Sequence, residues 1–119
     1  MAIHDDDGAY HLVPADTWES APASEPFRAA SLEAEGFVHL THHWRDLIDV
    51  GNRYYRADPR SFVALAIFLP RVTAPWRYDG DRRYPHVHGP IDRAAILGVD
   101  RMLRASDGTF LTFDLRSRG

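Results

Sequence analysis

The sequence predicts a single α+β domain with about six strands and about two helices. The chain has 119 residues, enough for one modest core, and 45% of them are apolar, too many for a disordered chain. Its short β-rich segments lack the regular βα alternation of a doubly wound sheet. No repeat or linker divides it, so we expect one domain over residues 1–119, with residues 1–8 as a disordered tail.

The first part of the chain predicts two strands and a short helix. The alternating segment AYHLV (9–13) is typical of a strand, and PADTWESA (14–21) of a short helix that begins near Pro14. The segment FVHLT (37–41) follows the turn residue Gly36 and predicts a second strand.

The clearest periodic signal predicts an amphipathic helix over about 43–56. Apolar and aromatic residues recur there at helical spacing, and ADP (57–59) ends the pattern. The residues of the pattern are Trp44, Leu47, Ile48, Gly51, Tyr54 and Tyr55. We expect Trp44, Leu47, Ile48, Gly51 and Tyr55 to pack on the sheet as core.

The second half predicts further strands. The apolar run SFVALAIFL (61–69) suits a central strand buried on both faces, and APWRYD (74–79) another strand. The segments 96–106 and 109–115 flank Asp107-Gly108, a typical hairpin turn, and predict a closing hairpin. The segment RYPHVHGP (83–90), between the strand at 74–79 and the hairpin, has prolines on both sides of its histidines and predicts a rigid loop.

Composition narrows the function classes. The chain contains no cysteine, which excludes disulfides, a thiolate nucleophile and a sulfur-ligated metal. Its acidic start lacks the apolar region of a signal peptide, and its longest apolar run is too short to cross a bilayer. We therefore expect a cytoplasmic protein without membrane contact. The net charge of −3 argues against general nucleic-acid binding, although an arginine-lined pocket could hold a phosphate.

Histidine is the conspicuous residue type, with seven copies. His86 and His88 form an H-x-H pair in RYPHVHGP (83–90), which with His39 or His11 would make a three-histidine zinc site. Two other interpretations stay open: core histidines bonded to the backbone, or acid–base groups at a cleft. His42 and His43 lie at the start of the predicted helix, and we expect both to be solvated. No G-x-S-x-G, G-x-G-x-x-G or P-loop motif is present.

Four segments carry a family resemblance. YHLVP (10–14), SLEAEGFVHLT (31–41), GNRYYRADPR (51–60) and YPHVHGPI (84–91) resemble, in order and spacing, the small bacterial family designated domain of unknown function 952. The resemblance covers about residues 9–99. It implies an ADP-ribosyltransferase-like fold, with two small bent sheets and a cleft between them that holds NAD or ADP-ribose in the enzymes.

The resemblance also implies roles for individual residues. His11 matches the catalytic position of the first strand and Thr41, after His39, that of the second. The third position falls on Asp79, one methylene shorter than the usual Glu, or on His86. Relatives carry Tyr in place of His88, which argues against an obligatory metal, so we expect none. The ligand contacts predicted beside the catalytic His11, Asp79 and His86 are His39, Thr41, Arg53, Arg77, Tyr84 and His88.

Two function classes follow. The first is a transferase, active or formerly active, that acts on ADP-ribose or a nucleotide phosphate, with NAD or ADP-ribose as ligand. The second is a non-catalytic module that binds a small ligand or a protein. If His11, His39 and His86 share one cleft, repulsion between their charged forms should lower at least one imidazole pKa below about 6.5. The sequence leaves the oligomeric state open.

Overall fold

A four-stranded antiparallel sheet forms the centre of the molecule. The computed structural model describes residues 5–114. The strands lie in the order β1 (Gly8–Pro14), β3 (Phe62–Phe68), β6 (Ile96–Arg104) and β7 (Phe110–Asp114). The central strand β3 is the apolar run and is largely buried, as predicted. The predicted hairpin joins β6 to β7, and Gly108 adopts the positive φ of 93° that its turn requires.

A smaller three-stranded antiparallel sheet carries the H-x-H segment. Its strands are β2 (Val38–His39), β5 (His86–Val87) and β4 (Trp76–Arg77), with β5 in the middle. The prediction of a loop at His86 is therefore wrong, because this residue pairs with strands on both sides. One bridge between Tyr10 and Thr41, with N–O distances of 2.7 and 2.9 Å, joins the two sheets.

Within residues 5–114, three α-helices accompany the sheets: α1 (Ala15–Ser20), α2 (Ala30–Glu35) and α3 (Trp44–Tyr54). Short 3-10 turns span Asp5–Asp7, Leu69–Arg71 and Arg93–Ala95. The sequence predicted α1 and α3 but not α2. Helix α3 packs on β1 and β7 through Leu47 and Gly51. Trp44 is 44% exposed, so the prediction that it belongs to the core is wrong.

The region between the sheets is filled rather than open. Ala9, Leu65 and Ile67 of the large sheet pack in one apolar cluster with Val38 and Val87 of the small sheet. A second cluster lies between the large sheet and α3. The expected cleft between two sheets is therefore a hydrophobic core, because the aliphatic residues of each strand point inward.

The chain forms one compact α+β domain with two antiparallel sheets. Of the tail predicted over residues 1–8, residues 1–4 lie outside the described residues, and residues 5–8 have defined secondary structure. Within the described part of the chain, no helix is long and apolar enough to cross a membrane.

Candidate functional site

The polar residues of the small sheet gather on its outward side. Alternation along β2 and β5 buries Val38 and Val87 completely and turns His39 and His86 outward. His39 lies opposite His86, and His86 lies opposite Arg77, so the three form one row across the sheet. With their neighbours they form a surface that we call the histidine face, made of Phe37, His39, Arg77, Asp79, His86 and His88.

Asp79 is the centre of the histidine face. Its Oδ2 accepts hydrogen bonds from Nδ1 of His86 at 2.9 Å and Nε2 of His88 at 3.2 Å. Its Oδ1 accepts one from Nε of Arg77 at 2.8 Å. The Arg77 guanidinium, followed by the bond from His86, lowers the pKa of Asp79 to about 2. The carboxylate is thus ionised and orients two imidazoles at once.

The bond to Asp79 also fixes which nitrogen of His86 is basic. An ionised carboxylate can only accept, so Nδ1 of His86 carries the proton and Nε2 of the neutral ring keeps its lone pair. A carboxylate that holds an imidazole in this way is a recurring arrangement for general acid–base catalysis. The His86 side chain is 18% exposed, so solvent and ligands retain access to it.

An aromatic ring that the sequence analysis did not single out covers the histidines. The Phe37 ring stacks on His86 with centroids 4.2 Å apart and an interplanar angle of 18°. It also lies 4.7 Å from the His39 ring and 5.6 Å from the His88 ring. Phe37 precedes His39 by two positions, so strand alternation was the available signal.

Glu35 is the other contributor that sequence reasoning missed. Its Oε2 accepts a hydrogen bond of 2.8 Å from Nε2 of His39, and both side chains are half exposed. Glu35 ends α2, a helix absent from the sequence prediction, so its proximity to the strand could not be anticipated.

His11 does not belong to the histidine face. It is buried, its ring lies 6.1 Å from that of Phe27, and its Nδ1–H donates to the backbone oxygen of His39 at 2.8 Å. Desolvation lowers the pKa of His11 to about 4. A lowered pKa was predicted, but its main cause is burial rather than repulsion. The prediction that this ring shares an open cleft with His39 and His86 is wrong, because His11 fits the core-histidine alternative.

Of the other residues predicted to contact a ligand, some lie in the histidine face and others do not. Arg77 and His88 lie in the histidine face, whereas Thr41 is buried at the bridge between the sheets. Arg53 is on the exposed side of α3, which packs on the large sheet instead. Tyr84 precedes the face, and its ring lies 5.3 Å from the Arg83 guanidinium.

His42 links the two sheets instead of being solvated. Its Nδ1–H donates to the Gly8 oxygen at 2.7 Å, and its Nε2 accepts the hydroxyl of Tyr78 at 2.7 Å. Both ring nitrogens are therefore occupied. The solvated position expected for His42 is wrong, because the tertiary fold brings the start of β1 and the end of β4 to the same ring.

Across residues 5–114, no group of three or more His, Asp or Glu side chains could hold a metal ion. In the histidine face, Arg77 already occupies one oxygen of Asp79.

The fold matches solved structures of one bacterial protein. The crystal structures of protein CC0527 from Caulobacter crescentus and of a double mutant each have a TM-score of 0.73 and 20% identity, and cover 87% of this chain and 93% of that chain. The solution NMR structure of CC0527 has a TM-score of 0.64 and 19% identity, with coverage of 95% and 97%. At this identity the similarity shows a common fold alone.

Family membership comes from the sequence itself. No curated protein matches the chain. A family model described as "Protein of unknown function (DUF952)" matches residues 12–99, within the span predicted from the four motifs. This match includes β2, β4 and β5 and hence the whole histidine face. The chain therefore belongs to the DUF952 family of proteins of unknown function.

Proposed function

We propose that the histidine face binds a phosphorylated, nucleotide-type ligand such as ADP-ribose, and that His86 transfers protons there. The observation that carries the proposal is the single carboxylate of Asp79 bonded to His86, His88 and Arg77. An ionised Asp79 leaves Nε2 of His86 as the base, and a proton taken up by this ring can be returned to a leaving group.

Charge and shape support an anionic, partly aromatic ligand. Arg77 is largely exposed and uses only its Nε for Asp79, so its remaining N–H groups can receive a phosphate. The flat surfaces of Phe37 and the imidazoles suit stacking against a base or nicotinamide ring. Asp79 could also stabilise the positive charge that develops on ribose in an ADP-ribosyl transfer, as the ADP-ribosyltransferase-like resemblance implies. NAD would enter such a reaction as a substrate. The cytoplasmic location expected from the sequence would give the protein access to NAD.

Two variants of the histidine face should distinguish ligand binding from proton transfer. His86→Ala should weaken ADP-ribose binding about tenfold, because it removes a hydrogen-bonding side chain. Asp79→Asn should retain or improve binding of the anion but slow nicotinamide release from NAD by roughly 10²–10⁴. Arg53→Gln, on the exposed side of α3, is the matched control and should change neither. A His86→Ala variant that binds like the wild type, or an Asp79→Asn variant that releases nicotinamide at the wild-type rate, would overturn the proposal.

A second candidate is the non-catalytic binding module. The openness of the histidine face favours it: the side chains of His39, Glu35 and Arg77 are each at least half exposed, whereas catalytic sites are usually concave. Saturable ADP-ribose binding without nicotinamide release would select this candidate. The absence of any nucleotide binding would move the assignment to a protein-binding module.

A further inference from the structure

A cleft lies away from the histidine face, between the loop after α3 and the hairpin of β6 and β7. Its volume is about 460 Å³, within the range of small-molecule sites. Three arginines line it: Arg56 and Arg60 from the loop, and Arg104 from the end of β6. We call it the arginine cleft. The loop belongs to the GNRYYRADPR motif, whose arginines have no part in the proposed function.

Arg104 makes the cleft rigid. Its guanidinium donates to the backbone oxygens of Tyr55, Arg56, Arg60 and Gly108 at 2.7–3.2 Å. It also lies 4.3 Å above the ring of Phe110. These bonds attach the loop to the hairpin and hold the two walls at a fixed separation. A ligand would therefore meet a preorganised cleft.

The two other arginines provide accessible positive charge. Arg56 bonds to Asp107 at 3.0 Å through Nη2, and its side chain is 55% exposed. Arg60 bonds to Asp58 through Nε and Nη2, and its side chain is half exposed. The hydrogen bonds of the described residues thus leave Nη1 of both free. The lining of the cleft contains three guanidiniums and one carboxylate, that of Asp107, while Asp58 and Asp16 act on Arg60 from outside the lining.

We propose that the arginine cleft binds a small phosphate monoester. The Nη1 groups of Arg56 and Arg60 would hold the phosphoryl oxygens, a geometry that guanidinium groups suit. The cleft is far larger than a phosphate ion, and Ala57, Pro59 and Met102 in its lining offer apolar contact to the organic part of the ester. This proposal is independent of the histidine face, because no residue belongs to both sites.

The test is an amide NMR titration of the whole protein with ribose 5-phosphate and, separately, with inorganic phosphate. We expect saturable shifts at residues 56–61 and 102–109, and a Kd there about tenfold lower for the monoester than for the ion. Binding there with no preference for the monoester would indicate a simple anion site and contradict the proposal. No saturable shift at these residues would overturn it as well, even if residues of the histidine face shift.

Two variants assign the contacts. Arg56→Gln and Arg60→Gln should each raise the Kd for ribose 5-phosphate about tenfold. Arg28→Gln is the control, since Arg28 is exposed on the segment before α2 and lies outside the cleft. The same spectra report whether each variant is folded. A folded Arg56→Gln, Arg60→Gln double variant that binds like the wild type would refute the assignment.

Discussion

The His11 ring sits in the interior of the protein as a neutral donor. The backbone oxygen of His39 can only accept, so Nδ1 of His11 carries its proton. Adding a second proton would place a charge in the core, which is why burial lowers the pKa of this group to about 4. His11 thus contributes to stability only while it is neutral.

This burial predicts acid sensitivity at one residue. Between about pH 6.5 and about pH 4 the unfolded chain binds more protons at His11 than the folded chain does. The free energy of unfolding should therefore fall as the pH falls through that window, by about 3 kcal/mol from this group, and the loss should be complete below pH 4. His11→Gln removes the titration, so its urea-unfolding free energy should fall less steeply between pH 7 and pH 4. Parallel profiles for the two proteins would contradict the prediction.

At the scale of elements, α3 is held by a narrow apolar stripe. Leu47 is 1% exposed, and Gly51 lies so close to the Phe110 ring that a Cβ there would be 2.8 Å from its Cγ. Leu47→Ala should lower the free energy of unfolding by about 2–5 kcal/mol, measured by urea denaturation. Tyr54→Ala on the same helix is the control, and should cost less than about 0.5 kcal/mol because Tyr54 is 67% exposed. Similar costs for the two variants would mean that the stripe does not anchor α3.

The elements that the sequence predicts well are those with a periodic signal of their own. Helix α3 and strand β3 have 11 and seven residues, and their apolar patterns are long enough to define them. Helix α2 has six residues, and β5 has two. The two residues of β5 form a strand because β2 and β4 pair with them on both sides, which is tertiary information.

The candidate site was predictable in its residue types but not in its arrangement. The sequence indicated His39, Asp79 and His86, and these do meet. It could not indicate the strand register that brings them together, nor that aliphatic neighbours would fill the space between the sheets. His11 was misplaced for that reason, since alternation gives two sides to a strand but does not say which is open.

At the scale of the whole molecule, the two sheets differ in how firmly they are held. β3 is paired along seven residues with β1 and along five with β6 and is largely buried, whereas each strand of the small sheet has two residues. Local opening is easiest where few hydrogen bonds must break. In amide hydrogen exchange by NMR, we expect the small sheet to exchange well before Phe62–Phe68. Equal protection of both sheets would show that they open as one unit.

In the small sheet, the residues that stabilise the fold are different from those that could contact a ligand. Val38 and Val87 face the core, while their neighbours His39, His86 and His88 face outward. Substitutions on the outward side therefore leave the packing of the inward side intact, and mutations that alter recognition carry little penalty for folding. Such a scaffold is evolvable: descendants with the same backbone can acquire different ligands through a few outward replacements, so a common fold in this family does not require a common substrate.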